Sequence, residues 1–182
     1  PGIATLLRGN VVGCPHHHSR LGQPRGSLQS GIFGFDLSFV FLPGGDILVT
    51  ERGGSVQRLE PDTGILTPIT GVPEVFYEGQ GGLLDIALHP GFPQPAWVYL
   101  TYSAPMGEGH STTRLARALL EGDALRDLEV LYTTEPVQDT KKHYGGRLLF
   151  SDDHLYMTMG ERGQAELAQQ LDVDLGKVLR FN

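Results

Sequence analysis

Two glycine-rich stretches carry the residues with the most chemical potential: Gly79-Gln80-Gly81-Gly82-Leu83-Leu84-Asp85-Ile86, and Lys141-Lys142-His143-Tyr144-Gly145-Gly146-Arg147-Leu148-Leu149-Phe150. Each places a polar side chain just before an apolar run. His143 can exchange a proton near neutral pH, and Gly145 and Gly146 beside it let backbone or ligand approach closely. The sharp reading is a general base; the plain one is a histidine that satisfies a buried turn. Gln80 offers two donors and an acceptor, which suits sugar hydroxyls, or equally a turn that bonds its own backbone. Arg147 begins an apolar run, where its fork would grip a carboxylate of a cofactor or form a salt bridge between neighbouring sheets.

The elements that must position these side chains are strands. The 182 residues hold 25 glycines and 12 prolines, about a fifth of the chain against a usual total of about 12%. Turns are therefore frequent, and the apolar runs between them are short and rich in Val, Ile, Leu, Tyr and Phe, as strands are. The expected class is all-β.

From Leu37 the runs LSFVFL, DILVTE, SVQRLE and ILTPIT are joined by Pro-Gly-Gly, Arg-Gly-Gly and Pro-Asp-Thr-Gly turns, a four-stranded meander. LLDIALH, AWVYLTYS, TTRLARALL and LEVLYTT make a second set, with a Pro-rich turn at 90–95 and a polar loop at 104–111. RLLF, HLYMTMG and KVLRFN open a third, interrupted by a short helical insert expected at 164–171. Glu51-Arg52-Gly53 in the first set recurs as Glu161-Arg162-Gly163 in the third. Four-stranded repeats of about 40 to 60 residues are blades of a β-propeller.

The expected boundaries are a tail or poorly ordered lead-in at 1–30, then a partial propeller over 31–182. Blade one covers about 37–70, blade two about 83–134, and blade three, incomplete, about 146–182. Two and a half to three blades cannot close a ring, since a propeller needs at least four. The expectation is a fragment of a longer protein, or a ring completed by other chains. In such a ring Gln80 and His143 both enter an innermost strand, and so converge at one end of the central channel. Recurrence makes Glu51, Arg52, Glu161 and Arg162 read as blade construction, and Asp152 and Asp153 as turn residues. His89 and His154 have no partner that the sequence identifies.

Composition excludes several classes. A net charge of −7 and forty per cent apolar content describe a globular chain without the basic footprint of a nucleic-acid or anionic-lipid binder. No window approaches the roughly 18 consecutive apolar residues of a membrane helix. The N-terminal residues lack the order of a signal peptide, so any export signal is expected to be removed or to lie outside this chain. Cys14 is the only cysteine, which leaves no internal disulfide and no CxxC site. His16, His17 and His18 are read as a solvated linker, because consecutive residues of regular structure cannot all face one ion. No metal ligand is assigned.

The ordered series LSFVFLPGGDILVTERGGSVQRL, GVPEV, EGQGGLLDIALHPGF, WVYLTYS, KKHYGGRLLF and LGKVLRFN resembles the soluble glucose and sorbosone dehydrogenases, most of all their aldose sugar dehydrogenase branch. The likeness runs from about Leu37 to Asn182. It implies a six-bladed propeller that uses pyrroloquinoline quinone (PQQ) with calcium to oxidise the C1 hydroxyl of aldoses and passes electrons to an external acceptor. It also implies a periplasmic or secreted location, and leaves a homodimer open for the full-length protein. His143 stands where that family's proton-accepting histidine stands, and Gln80 at a sugar contact. Lys142 occupies a position where the best-known glucose enzymes carry an Asp that touches sugar, and so reverses its charge. The arginines that hold the quinone and the calcium ligands belong to later blades, so this chain alone is expected to be inactive. The alternative is a non-catalytic propeller of the same superfamily used for binding; metal-dependent lactone hydrolysis is disfavoured, because no acidic cluster is evident.

Overall fold

The computed structural model describes residues 5–6 and 37–182. Cys14, His16, His17, His18 and most of the expected lead-in lie outside the described residues. Three four-stranded antiparallel sheets follow one another. The first holds β2 (Phe39–Phe41), β3 (Ile47–Glu51), β4 (Ser55–Leu59) and β5 (Leu66–Ile69); β1 is Thr5–Leu6. The second holds β6 (Leu83–Leu88), β7 (Trp97–Pro105), β8 (Ser111–Glu121) and β9 (Ala124–Thr133). The third is ordered β1, β12 (Val178–Phe181), β11 (His154–Met159), β10 (Gly145–Ser151). Among the described residues no helix is long and apolar enough to cross a membrane.

The sheets stack as blades through their first strands: β6 packs against β2 and β3 on one side and against β10 on the other. Sheet two is thus covered on both faces, which explains why β7 is an almost unbroken buried run. Its side chains alternate. Val98, Leu100, Tyr102 and Ala104 join Leu48, Val56 and Ile69 in one buried cluster, whereas Tyr99 joins Leu155, Met157 and Leu179 in the other. Pro68 sits in β5, an outer strand where a missing N–H costs no ladder bond.

Two local expectations shift. The polar stretch at 104–111 is only partly loop, because β7 runs to Pro105 and β8 starts at Ser111. Polar residues can stay in these buried strands because their hydroxyls are bonded: Thr112 Oγ1 donates to Thr134 O at 2.6 Å, and Thr134 Oγ1 to Thr113 O at 3.0 Å. The helical insert is a five-residue 3-10 helix, Ala165–Gln169, with no side-chain N-cap and no buried residue. So short a segment has nothing to offset the cost of nucleating an α-helix.

One buried carboxylate ties all three sheets together. Asp85, on β6, accepts from Ser38 Oγ of the first sheet, from Ile86 N at 3.0 Å, and from Arg147 Nη1 at 3.2 Å and Leu148 N at 2.7 Å of the third. Four donors satisfy a charge that burial would otherwise make very costly.

Candidate active site

Both glycine-rich loops end in a β-bulge, between Leu83 and Asp85 on β6 and between Gly145 and Leu148 on β10. A bulge adds one residue to one strand of a pair and re-aims the chain beside it. Two hydroxyls of β7 hold the loops at this end. Gly82 N donates to Ser103 Oγ at 2.6 Å, Ser103 Oγ to Phe76 O at 2.8 Å, and Thr101 Oγ1 to Gly146 O at 2.5 Å.

The loops are joined to each other. Gln80 N donates to Lys141 O at 2.7 Å, the His143 amide donates to Gln80 Oε1 at 2.7 Å, and Lys141 Nζ pairs with Glu78. Gly79, at φ +56°, lies against the Lys141 backbone, where a side chain would collide. The two residues chosen from sequence therefore meet. Gln80 uses one lone pair of Oε1 on His143, which leaves its Nε2 as the wholly unengaged group that can serve a ligand as a donor.

His143 has φ +52°, a left-handed conformation unusual for a residue with a side chain. Its carbonyl is held by the Arg162 amide at 3.4 Å and lies against Gly160, whose missing Cβ leaves the room. Glu161 Oε1 contacts His143 Nδ1 at 2.5 Å and also accepts from Gly163 N at 3.1 Å. The His143 hydrogen bond, foremost among several causes, holds the Glu161 carboxyl below its usual range. With Nδ1–H donated to a carboxylate, Nε2 is the nitrogen with a free lone pair. The His143 side chain is 46% exposed, enough for Nε2 to meet a small molecule.

The other sequence candidates lie differently. Lys142 is exposed and runs its side chain along Gly163, while its carbonyl accepts from Arg162 Nε at 3.1 Å. Arg147 makes the inter-sheet salt bridge with Asp85, and its side chain is 66% exposed. Asp152 and Asp153 form the turn between β10 and β11. His89 stacks on Tyr99 and meets the edge of Phe150 at the far ends of the inner strands. These three rings line a cleft of about 350 Å³ that includes neither Gln80 nor His143. His154 tilts against Tyr156.

Sequence reasoning missed three residues here: Glu161 on the His143 ring, and Arg52 and Arg162 on the two loops. Arg162 is wholly buried, with its guanidinium 3.7 Å from the centre of the Tyr144 ring. It donates to Thr140 O, to Lys142 O at 3.1 Å, to Ser111 O at 3.3 Å and to Ser111 Oγ at 3.2 Å. Burial lowers its pKa, with Tyr144 and Asp139 opposing. The available signal was the repeated Glu-Arg-Gly itself, whose arginines contact the loops that carry Gln80 and His143.

A family model described as Glucose / Sorbosone dehydrogenase matches residues 35–182. Aldose sugar dehydrogenase YliI of Escherichia coli (strain K12) is 35% identical over 148 residues, which are 79% of this chain and 40% of that protein. Quinoprotein glucose dehydrogenase B of Acinetobacter calcoaceticus is 31% identical over 170 residues, 77% of this chain and 35% of that one. The PQQ-bound form of aldose sugar dehydrogenase from Streptomyces coelicolor superposes with a TM-score of 0.71 at 29% identity, covering 99% of this chain and 48% of that structure. The chain thus spans less than half the length of each of these three relatives.

Proposed function

The chain belongs to the glucose/sorbosone dehydrogenase family, and on that premise we propose that it forms the proton-accepting and sugar-orienting wall of a quinone-dependent oxidoreductase acting at the C1 hydroxyl of aldoses. The observation that carries this reading is the assembly Glu161–His143–Gln80, in which a carboxylate orients an imidazole whose amide is bonded by the glutamine. Nε2 of His143 takes the proton of the C1 hydroxyl while Glu161 steadies the imidazolium that forms, the carboxylate–histidine logic of general-base catalysis. Nε2 of Gln80 donates to a sugar oxygen and orients C1, and Lys142 flanks the sugar as a second donor.

The quinone is a tricarboxylate and asks for cations. Arg147 suits one carboxylate, because only its Nη1 is engaged by Asp85. When bound, PQQ supplies the two-electron acceptor for the hydride of C1 and is reoxidised by an external acceptor. Among the described residues there is no group of three or more His, Cys, Asp or Glu able to hold a metal ion, and no step is assigned to calcium. Because the chain spans less than half the length of these relatives, it is expected to be inactive alone.

In the full-length protein supplied with PQQ and calcium, His143→Ala is expected to lower kcat for dye-linked aldose oxidation by about 10²- to 10⁴-fold. Full activity in that variant would reject His143 as the base.

A further inference from the structure

The arginines of the two Glu-Arg-Gly segments sit at the same station of their sheets, just after the second strand. Arg52 follows β3, and Arg162 follows β11 after a single glycine and glutamate. Each guanidinium covers a tyrosine ring, Arg52 over Tyr77 at 4.7 Å and Arg162 over Tyr144 at 3.7 Å. Each also pins two carbonyls two residues apart in a glycine-rich loop: Gly79 O and Gly81 O for Arg52, Thr140 O and Lys142 O for Arg162. The first pair brackets Gln80; the second ends at the residue before His143. Backbone bonds run alongside, since Leu83 N donates to Arg52 O at 2.9 Å and Arg162 N to His143 O at 3.4 Å.

We infer that Arg52 and Arg162 are a matched pair of positioning residues, each holding its loop through a tyrosine-backed guanidinium, Arg52 by Nη1 alone and Arg162 by Nε and Nη2, so that Arg52 aims Gln80 and Arg162 aims His143. At Arg162 the two-nitrogen fork makes this specific to arginine; at Arg52, where one nitrogen serves both carbonyls, the specificity rests on the planar guanidinium stacked on Tyr77. A planar guanidinium can meet two carbonyls and a ring face at once, whereas a lysine ammonium keeps the charge but cannot reproduce that arrangement. Neither arginine is assigned a contact with substrate. Loosening the Arg52 loop frees Gln80, whose task in the proposed reaction is to orient the sugar; loosening the Arg162 loop frees His143, whose task is to take the proton. The kinetic consequence rests on the proposed function, while the clamping itself does not.

The test uses Arg52→Lys and Arg162→Lys in the full-length protein. Arg52→Lys is expected to raise KM for the aldose about tenfold with kcat held within about twofold. Arg162→Lys is expected to do the reverse, lowering kcat about tenfold with KM nearly unchanged. A second readout needs no turnover. Hydrogen exchange at the His143 amide, whose acceptor is Gln80, should accelerate roughly fivefold to tenfold in Arg52→Lys while Ile86 in β6 stays protected. Only Arg162→Lys should shift the ¹⁵N signals of the His143 ring towards a mixture of tautomers. Equal changes in kcat and KM in both variants, or exchange that spreads evenly through β3 and β6, would overturn the pairing and reduce both arginines to scaffold. Should Arg162→Lys fail to fold, Ser111→Ala removes one Arg162 acceptor and must shift kcat and the ring signals the same way, by a smaller factor. If the wild-type protein oxidised no aldose, the proposed reaction would fall, and the exchange and ring-nitrogen results would still decide the clamp.

Discussion

Glu51-Arg52-Gly53 and Glu161-Arg162-Gly163 are the same tripeptide at the same station of two sheets, yet they work in different surroundings. Arg52 reaches forward to the loop entering the next sheet, and its tyrosine is 56% exposed. Arg162 reaches to the loop entering its own sheet and lies wholly buried on a tyrosine that is 2% exposed. The glutamates diverge further. Glu51 accepts from Ser55 within its own turn, whereas Glu161 reaches the His143 ring. Sheet two has no such tripeptide after β7; in its place Ser111, at the start of β8, supplies two of the acceptors that Arg162 uses. The two sites share a tyrosine-backed guanidinium that holds two loop carbonyls, and depth decides what that contact is worth, since water can replace an exposed hydrogen bond but not a buried one.

The largest effect should break the pair on stability. Arg162→Ala leaves Thr140 O and Lys142 O without their arginine donor, leaves Ser111 O with only the Gln138 amide, and opens a cavity beside Tyr144, so a loss of about 3–5 kcal/mol is expected. Arg52→Ala, at a half-buried side chain whose Gly79 O partner is exposed, should lose only about 1 kcal/mol. Urea unfolding of the two variants checks this, and equal losses would mean that burial does not separate the sites.

The glutamates come next. Glu161→Gln should lower kcat of the full-length protein by about 10²-fold, because an amide can present either a donor or an acceptor to Nδ1 and no longer fixes the tautomer. Glu51→Gln should leave turnover unchanged. Parallel steady-state kinetics on the two variants makes the comparison, and a matching loss in Glu51→Gln would mean that the tripeptide acts through the scaffold.

The smallest effect is on pH. His143 holds the Glu161 carboxyl below its ordinary value of 4.5. A carboxyl depressed in the folded state contributes stability that is present above that ordinary value and is lost as pH falls through the lowered one. The stability gap between wild type and Glu161→Gln should thus narrow as pH falls through the lowered Glu161 value, as measured by urea midpoints across an acid pH series. A gap that widened in acid would contradict the assigned direction.

Much of the architecture was legible in the residues. Turn chemistry at Pro43-Gly44-Gly45 and period-two alternation announced the strands, and the Glu-Arg-Gly recurrence announced equivalent sheets. The pairing of Gln80 with His143 also followed, because residues that enter equivalent strands of adjoining sheets must end up near one another. Two side chains resisted. The sequence left Arg147 open between a cofactor contact and an inter-sheet bridge, and the Asp85 contact is a matter of how two strands abut. Glu161 read as construction because the same tripeptide recurs at Glu51, whereas in the structure only Glu161 reaches the histidine ring.

What the sequence by itself determined is the set of local preferences: strands of short apolar runs, glycines where backbones touch, and polar groups at the head of inner strands. These depend on neighbours within a few residues. Which carboxylate faces the His143 ring, which atom of Gln80 is left for a ligand, and which of two identical arginines is buried were decided only when separate sheets packed. Each depends on distances between segments far apart in the chain, and no local preference encodes them.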